Sequence, residues 1–189
     1  MINRIHILGA SGSGTTTLAK VLRRRLNYEC FDTDDYFWEP TNPPFQKKRD
    51  VQVRKNLLKD KLDSNKRWIL SGSLCGWGDE FIPYFDLVIY LWIPQDIRIP
   101  RLIERERRRY GKEIEIGGTM YKAHLEFVEW ASKYDIGDIN MRSKALHNQW
   151  LSELKCNILK IEEDIDLEEK LQRVLEVLKT VNGGKLKNE

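Results

Sequence analysis

Residues 9–17 read Gly-Ala-Ser-Gly-Ser-Gly-Thr-Thr-Thr. Gly9 and Gly14 have the spacing G-x-x-x-x-G, directly after the apolar segment Ile5-His6-Ile7-Leu8 and before a segment of helical spacing from Thr15 to Leu26. Glycines so placed let successive backbone N–H groups turn inward around a phosphate, and the following helix adds its free N–H groups and its dipole. Gly9, Ser11, Gly12, Ser13, Gly14, Thr15, Thr16 and Thr17 are therefore the expected phosphate-binding residues, with the Thr16 hydroxyl placed to ligate Mg²⁺. A lysine would normally follow the second glycine and reach the β- and γ-phosphates as a point charge. Here that position holds Thr15, which offers a hydroxyl and no charge. The motif thus speaks more strongly for phosphate binding than for phosphoryl transfer.

Two further groups of charged residues could act with this loop. Asp32-Thr33-Asp34-Asp35 follows a second short strand, Glu29 to Phe31. Carboxylates there can hold Mg²⁺ through water or accept a proton from a hydroxyl, and Asp32 and Asp34 suit those tasks best. The alternative is capping, with Asp32 or Thr33 starting a short helix through Tyr36-Phe37. From Arg98 to Lys112 the chain has seven basic and two acidic residues. At helical spacing Arg98, Arg101, Arg105, Arg108 and Lys112 share a face, with Ile99, Ile103 and Tyr110 opposite, while Arg107 and Arg109 lean toward the surface. An arginine row after a strand suits polyphosphate; a solvated face and contact with a nucleic-acid backbone are the rival readings. Trp77, between Gly76 and Gly78 in the loop after the third strand, either stacks on a flat substrate or plugs the loop. Trp68, Trp92 and Trp150 read as core.

These residues need a scaffold. Strands at Ile5–Leu8, Glu29–Phe31, Trp68–Leu70, Leu87–Trp92 and Asn157–Ile161 alternate with helical segments over about 15–26, 50–64, 96–110, 119–153 and 167–178. The proline-rich segment 38–48 reads as an irregular loop. Alternation of this kind implies a doubly wound parallel sheet whose ligands bind at the carboxyl ends of the strands. The expected fold is a three-layer α/β/α architecture with a five-stranded parallel sheet, as one domain over 1–182 with a flexible tail over 183–189. No apolar run approaches the roughly 20 residues of a membrane span, and the chain reads as cytoplasmic. Cys30, Cys75 and Cys156 are few and scattered, so they read as small reduced residues; His6, inside the first strand, reads as a satisfied core histidine. A net charge of +3 is too small to argue for nucleic acid by itself.

The chain resembles the adenylate kinase and shikimate kinase group of P-loop kinases along nearly its whole length. The stretch from Asp86 through Pro94 to Arg105 is similar to the strand and helix leading into the adenylate kinase lid. The resemblance implies a helical lid over about 98–142, with Arg101 and Arg105 on the nucleotide and its phosphates and Arg142 as a further lid arginine. Phe31-Asp32-Thr33-Asp34 is similar to the acidic D-x-D motif of shikimate kinases, which implies Asp32 near Mg²⁺ and Asp34 on the acceptor hydroxyl. The loop after the third strand, Ser71-Gly72-Ser73-Leu74, lacks the arginine with which adenylate kinases grip a monophosphate. The expected activity is transfer of the γ-phosphoryl group of ATP, with Mg²⁺, to a hydroxyl or phosphate of a small-molecule acceptor. Asp34, Arg101, Arg105 and Arg142 are the catalytic residues, and Thr16 and Asp32 flank the metal. A nucleotide-binding sensor or regulator without transfer is the alternative, and a nucleic-acid-associated regulator a weaker one. The sequence leaves the acceptor and the oligomeric state open.

Overall fold

The structure, a computed structural model, describes residues 1–183. Apart from Gly183, the expected flexible tail lies outside the described residues. Five strands, β1 (Arg4–Gly9), β2 (Glu29–Asp32), β3 (Trp68–Ser71), β4 (Leu87–Leu91) and β5 (Asn157–Ile161), pair in parallel in the order β2-β3-β1-β4-β5. β3 and β4 are buried along their whole length, so they carry continuous apolar runs and no alternation. The register sets Ser71 beside both Ile7 and Asp32, and Gly9 beside Leu91. The phosphate loop, the acidic cluster and the loop after β3 consequently leave the sheet at one rim.

Among the described residues the sheet is accompanied by seven α-helices: α1 (Thr15–Leu26), α2 (Thr33–Phe37), α3 (Val51–Asp63), α4 (Gln95–Tyr110), α5 (Tyr121–Ser132), α6 (Lys144–Ser152) and α7 (Leu167–Gly183). One face is covered by α1 and α7, whose Leu18, Leu22, Val174 and Leu178 pack on Ile5, Ile7 and Ile89. The other is covered by α3 and α6, whose Leu58, Leu62, Trp150 and Leu151 pack on Leu8, Leu70 and Val88. Each such side chain contributes about 1.5–3 kcal/mol on burial. The three-layer reading therefore holds, with every strand in its expected place. Among the described residues no helix is long and apolar enough to cross a membrane.

Two local expectations are corrected. Residues 119–153 are not one helical stretch: α5 ends in a 3₁₀ turn over Lys133–Asp135, and α6 starts afresh where Ser143 Oγ accepts from Leu146 N–H. Trp92 lies beyond the end of β4 and is half-buried, its Nε1–H donating to Asp135 at 2.6 Å. Within the expected lid, α4 and α5 pack together as a helical hairpin, joined by a 3₁₀ turn at Gly111–Ile114.

Candidate functional site

The phosphate loop is built by two glycines in positive-φ conformations. Gly12 has φ +88°, and a Cβ there would stand 2.5 Å from the Arg98 carbonyl oxygen, so only glycine lets the loop lie against the start of α4. Gly14, at φ +98°, is the N-cap of α1 and leaves that helix start without a side-chain cap. The Ser13 N–H closes the turn on Ala10 O at 3.0 Å. The N–H groups at the head of α1 have no capping side chain to satisfy them, which is the arrangement an anion completes. Ser13 Oγ, 1% exposed, also lacks a hydrogen-bond partner. Thr15, Thr16 and Thr17 occupy the first turn.

Asp32 closes β2 and joins three elements. One oxygen, Oδ2, accepts from Thr16 Oγ1 at 2.8 Å and from Ser71 Oγ at 2.8 Å; the other accepts from the Asp34 N–H at 3.1 Å. One carboxylate thus caps α2 and also stands against Thr16. Because α2 begins at Thr33, helical turning and not strand alternation separates Asp34 from Asp35. Among the described residues no cluster of three His, Cys, Asp or Glu side chains could hold a metal. The donor set here is instead one hydroxyl and one carboxylate, hard oxygens that suit Mg²⁺ completed by phosphate and water.

Asp34 is exposed, and its carboxylate accepts no hydrogen bond among the described residues. The surrounding protein and the Asp32 carboxylate push its pKa above the usual carboxylate range, while the charges of Arg142, Arg105 and Arg109 pull it down. Three of the arginines thus share a field with Asp34. Desolvation and the Arg109 charge lower the pKa of Arg105, whereas Glu106, Asp34 and Asp32 raise it.

The basic stripe itself is corrected. Arg98, Leu102 and Glu106 form the buried line of α4. Arg98 is fully buried and donates to Ala131 O at 2.7 Å and Asp135 Oδ2 at 3.0 Å, so it fastens the hairpin and does not face phosphate. Arg101 stands apart from the Asp34 group in an ion pair with Asp164, after β5, at 3.1 Å. Arg107 and Arg108 pair with Glu104 at the surface. Arg109 is exposed, as expected, yet it is held in place: Glu106 lies 3.3 Å away and the guanidinium is 4.5 Å from the centroid of Phe45. Tyr110 OH donates to Pro44 O at 3.3 Å, so the end of α4 meets the 38–48 loop. That loop is less irregular than expected, with a bridge between Trp38 and Lys48 and Arg49 donating to Tyr36 O and Trp38 O. Arg142 is not part of the hairpin. It precedes the Ser143 cap of α6, a helix held to the core by His147, Trp150 and Leu151.

Trp77 is the plug of its loop: it is 5% exposed and donates from Nε1 to Ser73 O at 3.1 Å. It also reveals a residue that sequence reasoning missed. Arg54 of α3 is 7% exposed, with its guanidinium 4.2 Å from the Phe37 centroid and 4.9 Å from that of Trp77. Its Nε has no partner. The signal available in the sequence was an arginine on the core-facing line Arg54-Leu58-Leu62. His6 is core as expected but half satisfied, with Nδ1 3.0 Å from Leu70 O and Nε2 unpartnered.

With this geometry in place, comparison with known proteins is decisive for the family. Residues 5–120 match the AAA domain family. The chain belongs to that family. It is 50% identical over 178 residues to an uncharacterized protein, YqaC, of Bacillus subtilis (strain 168), covering 94% of this chain and 98% of that one. It is 29% identical over 145 residues to a cytidylate kinase of Haloarcula marismortui, covering 70% and 72% of the two chains. In structure it is similar to the shikimate kinase of Acinetobacter baumannii solved with shikimate, at TM-score 0.57 and 19% identity over 98% and 96% of the chains. The fold is that of the P-loop kinases, with a phosphate loop that carries threonine in place of the lysine.

Proposed function

We propose that this protein transfers the γ-phosphoryl group of ATP, in the presence of Mg²⁺, to an oxygen of a small anionic acceptor. The observation that carries the reading is the contact of Thr16 Oγ1 with Asp32 Oδ2 at 2.8 Å, at the mouth of an uncapped helix and beside Asp34. Thr16 and Asp32 would hold Mg²⁺, which when bound screens the β- and γ-phosphates. The backbone N–H groups of 11–16 bind the phosphate oxygens. Asp34, its basicity raised by its surroundings, takes the proton of an acceptor hydroxyl as that oxygen bonds to the γ-phosphorus. The bond to the β,γ-bridging oxygen breaks and ADP leaves. Arg105 and Arg142 take up the developing charge and supply what Thr15 lacks. Arg101 joins them if phosphate displaces Asp164.

The acceptor side also favours an anion. Arg109 and Arg54 add positive charge near Asp34 and α2, each held against aromatic rings. Carboxylate or phosphate acceptors, as the names of the cytidylate and shikimate kinase relatives suggest, are the first to try. The test incubates the protein with Mg-ATP and a panel of acceptors, cytidylate and shikimate among them, and follows ADP. Acceptor-stimulated ADP formation supports transfer. Bound ATP without stimulation by any acceptor supports the second reading, a nucleotide-binding regulator, which Thr15 favours. Contact with nucleic acid draws no support from α4, whose arginines are largely paired within the chain.

A further inference from the structure

A buried polar chain runs beside the cleft that the proposed reaction does not use. His147 of α6 is fully buried, with Nε2 3.1 Å from Ser73 Oγ and Nδ1 2.7 Å from the Tyr134 hydroxyl. Tyr134 OH lies 2.8 Å from Tyr90 OH. All four residues are at most 3% exposed. They come from four places: the loop after β3, α6, the 3₁₀ turn after α5, and β4. Burial and the nearby Arg142 charge lower the imidazole pKa to about 3, so it is neutral and has one donor and one acceptor nitrogen, both used here. A buried network satisfied at every link specifies one arrangement, because any other leaves a polar group unpaired at about 1–3 kcal/mol.

The chain continues at both ends. Asp135, next to Tyr134, accepts from Arg98 and from Trp92. Arg98 in turn touches Gly12 through its carbonyl, so the base of the hairpin is fastened to the sheet and to the phosphate loop. At the other end Ser73 O accepts from Trp77, and Trp150 of α6 donates to Asp79 at 2.8 Å, a second tie to the segment after β3. Arg142 stands two residues before the start of this fastened helix, with its guanidinium 5.6 Å from the Trp130 centroid.

We propose that His147 is the positioning residue of the acceptor wall: by joining Ser73 to Tyr134 it holds the loop after β3 and Arg142 in one arrangement opposite Asp34. Arg142 then belongs to this fastened wall. The inference rests on the reading of Asp34 as the acceptor-side base. Its test reads conformation and not turnover, so the two can fail separately.

The experiment compares His147→Phe, His147→Gln and Tyr134→Phe with wild type by ¹H–¹⁵N spectra and amide hydrogen exchange. The probes are the indole N–H signals of Trp77 and Trp130 and the amides of 72–78, against the amides of 12–18. Loss of a link should shift both indole signals and speed exchange across 72–78 by about tenfold, with less than about twofold change at 12–18. His147→Gln, which keeps a donor and an acceptor, should restore most of the wild-type spectrum. If His147→Phe does not fold, Tyr134→Phe decides by the same criteria. Unmoved indole signals, or a uniform rise of exchange that includes 12–18, would overturn the proposal.

Discussion

Lowering the pH from 8 to 5 should destabilise this fold far more than its surface charges would suggest. His6 and His147 are fully buried and neutral. Burial lowers the pKa of His6 from 6.5 to about 4, with its bond to Leu70 O acting the other way, and burial with the Arg142 charge lowers that of His147 to about 3. Between those values and 6.5 the unfolded chain binds more protons than the folded one, so stability is full above about pH 6.5 and falls as the pH drops. At pH 5 each histidine costs about 2 kcal/mol, or about 4 kcal/mol together. That is a large part of a typical 5–15 kcal/mol stability. With a urea slope of about 2 kcal/mol/M, the unfolding midpoint should drop by about 2 M between pH 8 and pH 5. Asp34 and Asp35, whose pKa values are raised, work in the opposite sense and reduce the drop somewhat. The assay is urea unfolding followed by tryptophan fluorescence at both pH values, for wild type and His147→Gln. The variant should lose about half of the pH-dependent drop, whatever its midpoint at pH 8. Equal midpoints at pH 8 and pH 5 in wild type, or an undiminished drop in the variant, would refute the assignment of buried, neutral histidines.

Further outcomes follow from the cleft. Asp34→Asn should lower acceptor-stimulated ADP formation by about 10²-fold or more while Mg-ATP affinity, read by calorimetry, changes less than about threefold; equal losses would make Asp34 a metal or structural residue. Thr15→Lys should tighten Mg-ATP binding, because it restores a charge beside the β- and γ-phosphates, and unchanged affinity would count against the position given to Thr15. Gly12→Ala should weaken Mg-ATP binding at least about tenfold, since its Cβ meets the Arg98 carbonyl oxygen in a conformation that costs about 1–2 kcal/mol. Wild-type affinity in that variant would mean the loop does not need its observed shape.

The parts of this site that could be read in the sequence are those whose geometry is local. Gly9, Gly14 and Thr16 are set by the spacing of a strand, a turn and a helix, and the carboxyl-end rule brings Asp32 to them. The arginines were less legible because a helix phase is decided by what it packs on. With seven basic residues to choose from, periodicity grouped Arg98 with Arg105, whereas the core takes Arg98, Leu102 and even Glu106. Arg109 stays at the surface, but its partners, Glu106 and the distant Phe45, are set by the packing. Arg54 is hidden for the same reason: its ring partners, Phe37 and Trp77, lie 17 and 23 residues away in sequence. The separation of Arg142 from the hairpin did have a local signal. Gly137, Asp138 and Asn140 break the helix and Ser143 starts the next.

Transfer of the phosphoryl group is followed directly by ³¹P spectroscopy, without a coupled enzyme. Mg-ATP, the protein and each anionic acceptor in turn are followed over time, with Asp34→Asn in parallel. For at least one acceptor the γ-phosphate signal of ATP should decline as the signal of a phosphorylated acceptor grows, and Asp34→Asn should abolish this growth. ATP that binds, as seen by broadening of its signals, yet keeps its γ-phosphate with every acceptor would contradict it.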